Sequence, residues 1–274
     1  MLKCGITGAT GVLGRRVIKQ LSYKYYIYKN KVEDYKKVQK WINSKNFDLI
    51  LHLAAVVPTN RVNKNFKKAK SVNINGTKNI VKAVLKTSNP PRWFFYASTS
   101  HVYSSSFTKR KFSERDKVKP YSLYGKTKLS GEKIVKKNFT NKKTNFCIGR
   151  IFSFTDKMQK MPFVIPTMIS KIKKAKQAKV KFNNLNHFRD FLSTKDIATA
   201  IKILCANKQT GIYNIGSGQE INLKKIALII AKKFKKKIVF LNDNNPTYLI
   251  CNNRKLKKLG WKPKKFKNSM NYFY

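Results

Sequence analysis

The chain has 274 residues and carries 61 lysines and arginines against 11 aspartates and glutamates, a formal net charge of +50. Hydrophobic residues make up 42% of it, which excludes intrinsic disorder as the main description. No apolar run is long enough to span a bilayer, and the first residues lack the apolar segment of a signal peptide. We therefore expect a cytoplasmic protein without membrane contact.

The charge has two interpretations, a nucleic-acid binder or a solvated surface in which lysine fills most polar positions. Arginine, whose fork reads guanine edges and grips phosphates, occurs nine times against 52 lysines. The lysines run through the whole chain, which favours the solvated surface and argues against a nucleic-acid partner. The four cysteines are far apart and form no CxxC pair, so we predict reduced thiols and no metal site.

The first part of the chain alternates short apolar strands with helices. Predicted strands cover residues 2–7, 25–28, 47–55, 93–98 and 145–151, and predicted helices cover 12–21, 34–42, 67–86 and 121–137. Near-continuous apolar strands are typical of a parallel sheet covered on both faces. The pattern predicts an α/β fold, a Rossmann-type doubly wound sheet over residues 1–151, with ligands at the carboxyl ends of the strands.

The rest of the chain alternates less regularly. Predicted helices cover residues 161–174, 194–206, 223–234 and 253–259, and predicted strands cover 180–182, 189–192, 211–215 and 237–241. Since no low-complexity linker separates the two parts, we predict a small α/β substrate lobe over residues 152–274, with some chain returning to the first domain.

A glycine motif joins the first strand to the first helix. Gly8 permits a tight turn, Gly11 lets a pyrophosphate approach the backbone, and Gly14 lets the helix pack closely on the strand. This context favours a dinucleotide-binding turn over a plain strand–helix connection.

The residues after the second strand bear on the cofactor's ribose. An acid about 20 residues beyond the glycine motif favours NAD, and a basic residue favours NADP. Lys29 ends the second strand without an acid beside it, and Arg15 follows the glycine motif directly. These residues favour NADP, while Glu33 and Asp34 keep NAD open.

Two further patterns suggest acid–base chemistry. Tyr124 and Lys128 are four residues apart and share one helix face, where an ammonium lowers the pKa of a phenol. Thr99 ends the fourth strand and faces the same crevice. Each pattern alone is weak, because YxxxK recurs by chance in a lysine-rich chain and a Ser/Thr cluster is more often a polar turn.

Together these residues resemble the extended short-chain dehydrogenase/reductase family, in particular its NAD(P)-dependent nucleotide-sugar epimerases, dehydratases and reductases. The resemblance covers nearly the whole chain. Besides the glycine motif, the matching segments are 52–55 (HLAA), 73–79 (NINGTKN), 99–103 (TSHVY), 124–128 (YGKTK), 189–191 (RDF), 194–198 (TKDIA), 211–218 (GIYNIGSG) and 259–263 (LGWKP).

The resemblance implies a catalytic set of three residues. Tyr124 exchanges a proton with a sugar hydroxyl or keto oxygen, Thr99 hydrogen-bonds the same oxygen, and Lys128 binds the nicotinamide ribose and helps to ionise Tyr124. The residues expected against the cofactor are Gly8, Thr10, Gly11, Val12, Leu13, Gly14, Arg15, Lys29, Leu53, Ala54, Ala55, Asn73, Ser98, Tyr124 and Lys128. Those expected against the substrate are Ser100, His101, Ser153 and Arg189, with the arginine at the diphosphate.

The departures from the family pattern limit the reaction. Family dehydratases carry acids directly after the catalytic threonine, where this chain has Ser100 and His101, so we do not expect dehydration. The short segment after the second strand resembles the dTDP-4-dehydrorhamnose reductase-like branch. We predict an NAD(P)-dependent epimerase or 4-keto reductase acting on a nucleotide-linked sugar, a homodimer as family members commonly are. The alternatives are a non-catalytic NAD(P)-binding redox sensor and, less favoured, a nucleic-acid binder.

Overall fold

A computed structural model describes residues 1–242, 245–264 and 266. The strands in this part of the chain are β1 (Lys3–Thr7), β2 (Lys24–Ile27), β3 (Leu49–His52), β4 (Trp93–Thr99), β5 (Lys111–Phe112), β6 (Asn145–Ile151), β7 (Ser153–Thr155), β8 (Lys179–Asn183), β9 (His187–Arg189), β10 (Phe191–Ser193), β11 (Gly211–Ile215), β12 (Ile221–Asn222), β13 (Lys237–Leu241) and β14 (Thr247–Cys251).

The α-helices of the same residues are α1 (Val12–Gln20), α2 (Tyr35–Asn43), α3 (Thr59–Lys64), α4 (Phe66–Lys70), α5 (Thr77–Lys86), α6 (Leu123–Phe139), α7 (Val164–Lys174), α8 (Thr194–Ala206), α9 (Leu223–Lys233) and α10 (Arg254–Lys257). A π-helical segment, Ser71–Gly76, joins α4 to α5, and a 3₁₀ turn, Ser100–Val102, follows β4. No helix within the described residues is long and apolar enough to cross a membrane.

The central sheet has six strands in the order β2-β1-β3-β4-β6-β11, and all its pairings are parallel. Side chains of α1 and α8, such as Val17 and Ile201, pack on one face. Side chains of α2, α5 and α6, such as Ile42, Val84 and Val135, pack on the other. Apolar cover on both faces explains the near-continuous apolar strands, and the predicted doubly wound α/β fold is confirmed.

Smaller sheets surround the carboxyl ends of the central strands. They have the orders β12-β9-β14-β5, β10-β7 and β13-β8, and an apolar cluster of α7, α9 and β8 supports them. Since β11 joins the central sheet and α8 packs with α1, the chain beyond residue 151 contributes to both parts of the molecule. The domain boundary at that residue stays a prediction.

Two predicted elements differ from the structure in an informative way. The helix predicted over residues 67–86 contains the π-helical segment, which carries the buried Asn73 towards the loop after β3. The strand predicted over residues 189–192 is two strands that separate at Asp190. The buried Asp190 carboxylate accepts hydrogen bonds from the backbone of Ser217, Gly218 and Cys251, so its neighbours belong to different sheets.

Two glycines of the turn allow a paired test of how closely α1 packs on the turn after β1. A Cβ on Gly14 would lie 2.2 Å from the Gly8 carbonyl oxygen, whereas a Cβ on Gly11 would lie 3.3 Å from it. Gly14→Ala should therefore lower the free energy of unfolding by about 1–3 kcal/mol, and Gly11→Ala should lower it much less. Urea unfolding of both variants measures this. Equal stability of the two variants would contradict the close helix–strand contact.

Candidate active site

The glycine turn forms a cradle for an anion at the amino end of α1. Gly8 has a φ of +75°, and a Cβ there would lie 2.6 Å from the Ala54 backbone nitrogen. Gly11 is the N-cap residue of α1, and no side chain caps the helix. The uncapped N–H groups and the positive end of the helix dipole suit a phosphate. This cradle therefore fits the diphosphate of a dinucleotide.

A buried histidine ties the glycine turn to the neighbouring strand and helix. His52 Nδ1 lies 2.7 Å from Thr7 Oγ1, and its Nε2 lies 3.0 Å from Thr77 Oγ1. Because Thr77 donates to the Asn73 carbonyl, His52 donates from Nε2 and accepts at Nδ1. Burial lowers the pKa of His52 to about 3, with the Lys128 charge acting in the same direction, so the ring is neutral.

Asn73 acts on the loop that lies along the cradle. Its side chain accepts from the Val56 backbone N–H at 2.7 Å and donates to Thr127 Oγ1 at 3.0 Å. Leu53, Ala54 and Ala55 precede Val56 and are half-buried beside Gly8. The amide of Asn73 thus joins this loop to α6, and it reaches a cofactor through the loop that it holds.

The turn after β4 brings the predicted catalytic residues together. Thr99 ends β4, and its hydroxyl accepts from the His101 backbone N–H at 3.3 Å. Tyr124 lies in the first turn of α6, where Gly125 meets this 3₁₀ turn. A Cβ on Gly125 would lie 2.2 Å from the His101 carbonyl oxygen. The absence of a side chain at Gly125 therefore lets α6 approach β4 and places the Tyr124 ring 5.8 Å from the His101 ring.

Lys128 is buried, and Tyr124 is half-buried. Burial raises the pKa of Tyr124 to about 12, and a hydrogen bond with the Thr99 side chain acts in the opposite direction. Burial lowers the pKa of Lys128 to about 7, and the Glu132 charge acts in the opposite direction. The Lys128 ammonium lies 4.2 Å from the centre of the Tyr96 ring. The site thus holds a neutral phenol and an amine whose pKa of about 7 lies near neutral pH.

The predicted substrate residues line the same end of the sheet. Arg189 donates to the carbonyl oxygens of Phe188 and Thr247 and to Thr247 Oγ1, at 2.8 to 3.1 Å. Burial, together with the Arg189 charge, lowers the pKa of His101 to about 4, so this imidazole is neutral at pH 7. Ser153 is half-buried at the start of β7, and Ser100 is buried within the 3₁₀ turn.

The remaining predicted cofactor residues occupy different environments. Thr10, Gly11, Arg15 and Lys29 are exposed around the cradle, whereas Val12 and Leu13 are half-buried. The hydroxyl of Ser98 is buried and donates to Glu132 at 2.5 Å. Among the described residues, no group of three His, Cys, Asp or Glu side chains could hold a metal ion.

Three residues that position the site were not predicted. Glu132 forms a buried ion pair with Arg150, Asp190 holds the chain beside Arg189, and Gly125 permits the close approach of α6. The sequence could have indicated Glu132, because it lies four residues beyond Lys128 and so shares its helix face. Asp190 and Gly125 belong to segments that match the family. Their contacts are with residues distant in sequence, so no periodic pattern in the sequence indicates them.

Comparisons with known proteins identify the family of the chain. The family model for GDP-mannose 4,6 dehydratase matches residues 7–271. The chain belongs to this family. A dTDP-4-dehydro-6-deoxyglucose reductase of Escherichia coli is 25% identical over 239 residues, covering 83% of this chain and 74% of that protein. A dTDP-D-glucose 4,6-dehydratase of Dictyostelium discoideum is 25% identical over 222 residues, covering 77% of this chain and 50% of that protein.

Among solved structures, the fold of the chain is similar to that of a protein complexed with NADPH. The structure of RMD from Pseudomonas aeruginosa complexed with NADPH superposes with a TM-score of 0.89 at 19% sequence identity. The match covers 100% of this chain and 97% of that one. The predicted family is therefore confirmed, and the predicted enzyme class is confirmed at the level of nucleotide-sugar epimerases, dehydratases and reductases.

The burial of Lys128 predicts a pH dependence of stability. Its pKa is lowered from 10.5 to about 7, so the unfolded chain binds more protons between these values. The stability contribution of this group should therefore rise with pH in that window, by up to about 1.4 kcal/mol per pH unit. Urea unfolding of the cofactor-free protein and of Lys128→Met, from pH 6 to 10, measures the difference. A difference that stays flat with pH would contradict the burial of the amine.

Proposed function

We propose that the protein is an NAD(P)-dependent enzyme that moves hydride to or from a carbon of a nucleotide-linked sugar, as a 4-keto reductase or a 4-epimerase. The observation that carries this proposal is the hydrogen bond between the Thr99 and Tyr124 side chains, with Lys128 buried one turn further along α6. Thr99 ends a strand at the same edge of the parallel sheet as the anion cradle of α1. A bound nicotinamide would supply or accept the hydride.

The catalytic side chains have separate tasks. Tyr124 donates its phenol proton to a keto oxygen, or accepts a proton from a hydroxyl in the reverse direction. Thr99 hydrogen-bonds the same oxygen and orients it. Lys128 lies one helical turn beyond Tyr124 on α6, with its amine over the Tyr96 ring. Its ammonium would stabilise the phenolate that forms when Tyr124 gives up its proton.

The surroundings of the cradle support NADP over NAD. Asp34 caps α2 by accepting from the Lys37 backbone N–H, and Glu33 pairs with the Lys68 ammonium at 2.6 Å. Both acids that could take ribose hydroxyls are therefore engaged within the protein. Arg15 and Lys29 are exposed and suit a 2′-phosphate.

Arg189, His101, Ser100 and Ser153 are proposed to contact the substrate. Arg189 is half-buried without a carboxylate partner among the described residues, so a substrate diphosphate would complete its pairing. Neutral His101 beside Tyr124 can hydrogen-bond a sugar hydroxyl without adding charge.

A substrate panel tests this function. Purified protein is incubated with NAD or NADPH and with UDP-, dTDP- and GDP-linked sugars, including 4-keto sugars, while absorbance at 340 nm and product stereochemistry are followed. Net oxidation of NADPH identifies a reductase, and inversion without net oxidation identifies an epimerase. Cofactor binding without any turnover would favour the redox sensor instead, and tight salt-dependent binding to DNA would favour the nucleic-acid binder.

The phenol of Tyr124 should be required for turnover and not for folding. Tyr124→Phe removes only the hydroxyl, so we expect kcat to fall by about 10²–10³-fold or more while NADPH binding is retained. Fluorescence of bound NADPH and steady-state kinetics measure the two properties. Tyr35→Phe is the matched control, because the buried Tyr35 hydroxyl has no hydrogen-bond partner in the described part of the chain. Near wild-type turnover in Tyr124→Phe would remove the assignment.

The guanidinium of Arg189 should act mainly on substrate binding. Arg189→Lys keeps a positive charge and loses the fork that binds two phosphate oxygens. We expect KM for the nucleotide sugar to rise about tenfold or more, with kcat changed by about twofold at most. The exposed Arg92 provides the control variant Arg92→Lys. An unchanged KM would place the diphosphate elsewhere.

The homodimer and the cytoplasmic location stay predictions. The homodimer is implied by the family resemblance, in which α5 and α6 pack against a second copy. Sedimentation analysis of the purified protein tests it directly.

A further inference from the structure

One carboxylate on α6 reaches the ends of two strands. Glu132 lies one helical turn beyond Lys128 and is 3% exposed. Its carboxylate accepts from Ser98 Oγ at 2.5 Å, from Arg150 Nε at 3.0 Å and from Arg150 Nη2 at 2.7 Å. Ser98 and Arg150 face each other across the β4–β6 pair. Glu132 therefore fixes α6 against the strand that ends in Thr99.

Arg150 connects the Glu132 carboxylate to further buried side chains by hydrogen bonds. Its Nη1 donates to the Tyr103 hydroxyl at 2.8 Å, and that hydroxyl lies 2.9 Å from Asn214 Oδ1 on β11. The chain of bonds thus joins α6, β6, the segment after β4 and β11. Tyr103 and Asn214 lie in segments that match the family, and the proposed reaction assigns no task to either of them or to Arg150.

The Glu132 carboxylate acts on the charge of Lys128, and the Arg150 guanidinium is hydrogen-bonded to that carboxylate. Glu132 and Arg150 are each about 4% exposed in their side chains, so water screens neither charge well. The other titratable groups around Lys128 are neutral His52, Tyr96 below the ammonium and Tyr124. The carboxylate favours the charged form of Lys128, and the guanidinium opposes it.

We propose that Glu132 and Arg150 are positioning residues whose ion pair holds α6 against β4 and whose opposite charges balance at the Lys128 side chain. The role of Lys128 in turnover rests on the proposed function. The charge balance does not, because it concerns the protein without cofactor or substrate.

Titration of Lys128 in the cofactor-free protein tests the balance. Lysine labelled with ¹³C at Cε reports each ammonium by NMR, and the signal lost in Lys128→Arg identifies residue 128. Glu132→Gln leaves the guanidinium unopposed and should move the Lys128 midpoint to lower pH. Arg150→Gln leaves the carboxylate unopposed and should move it to higher pH. The double variant should return towards wild type.

The charge balance is supported if the Lys128 midpoint shifts by at least half a pH unit in opposite directions in Glu132→Gln and Arg150→Gln. Shifts in the same direction in both variants, or no shift, overturn it. Glu220→Gln, which breaks the exposed pair with Lys109, is the control and should leave the midpoint unchanged. A failure of the substrate panel would not affect this titration, so the two proposals fail separately.

Removing one partner of a buried ion pair can prevent folding. Arg150→Lys is therefore a milder second variant that tests the proposal if Glu132→Gln or Arg150→Gln does not fold. It keeps the charge and loses the two-point contact with Glu132. We expect the Lys128 midpoint to stay within half a unit while kcat falls at least tenfold with KM little changed. An unchanged kcat would overturn the positioning role, and a shifted midpoint would overturn the charge balance.

Discussion

The scarcity of carboxylates is the constraint on which this structure depends. The net charge of the chain is +50, yet four of the ten acids among the described residues are buried rather than placed on the positive surface: Glu132, Asp156, Asp190 and Asp196. Each accepts hydrogen bonds from more than one element of the fold. Buried charges persist only when they are paired and hydrogen-bonded, so these acids join the ends of strands and helices where the site is built.

The same burial determines the electrostatics of the site. His52 and His101 are neutral, Tyr124 keeps its proton to about pH 12, and Lys128 titrates near pH 7. In the proposed reaction a proton passes between the phenol and a substrate oxygen, beside the neutral imidazole of His101. The low local dielectric strengthens each hydrogen bond that the site makes. Arg189 provides a cation where a substrate diphosphate would need one.

Much of the fold follows from periodicity and motif context. The alternation of apolar strands and helices predicts the parallel sheet, and α8 and β11 have the predicted bounds. The glycine turn and the spacing of Tyr124 and Lys128 are local patterns, so they too are readable from the sequence. Membership of the family followed from the order of several weak motifs, no one of which was decisive.

The unpredicted features depend on contacts between distant parts of the chain. The Glu132–Arg150 pair, the break at Asp190 and the π-helical segment around Asn73 are each stabilised by partners more than 15 residues away. The lowered pKa of Lys128 is likewise a consequence of burial, which the spacing of residues does not reveal. The YxxxK spacing predicts only that Lys128 eases the ionisation of Tyr124. The lysine surplus, conspicuous in composition, lies largely on exposed positions outside the site.

The central claim is that this site transfers hydride to a nucleotide-linked sugar. Its most direct measurement uses NADPH deuterated at one face of nicotinamide C4, with a nucleotide-linked 4-keto sugar as acceptor and mass spectrometry of the product. The account predicts that deuterium from one of the two faces appears on the sugar carbon that carried the keto oxygen. Complete absence of deuterium from the sugars with either labelled face, in protein that binds NADPH, would contradict it.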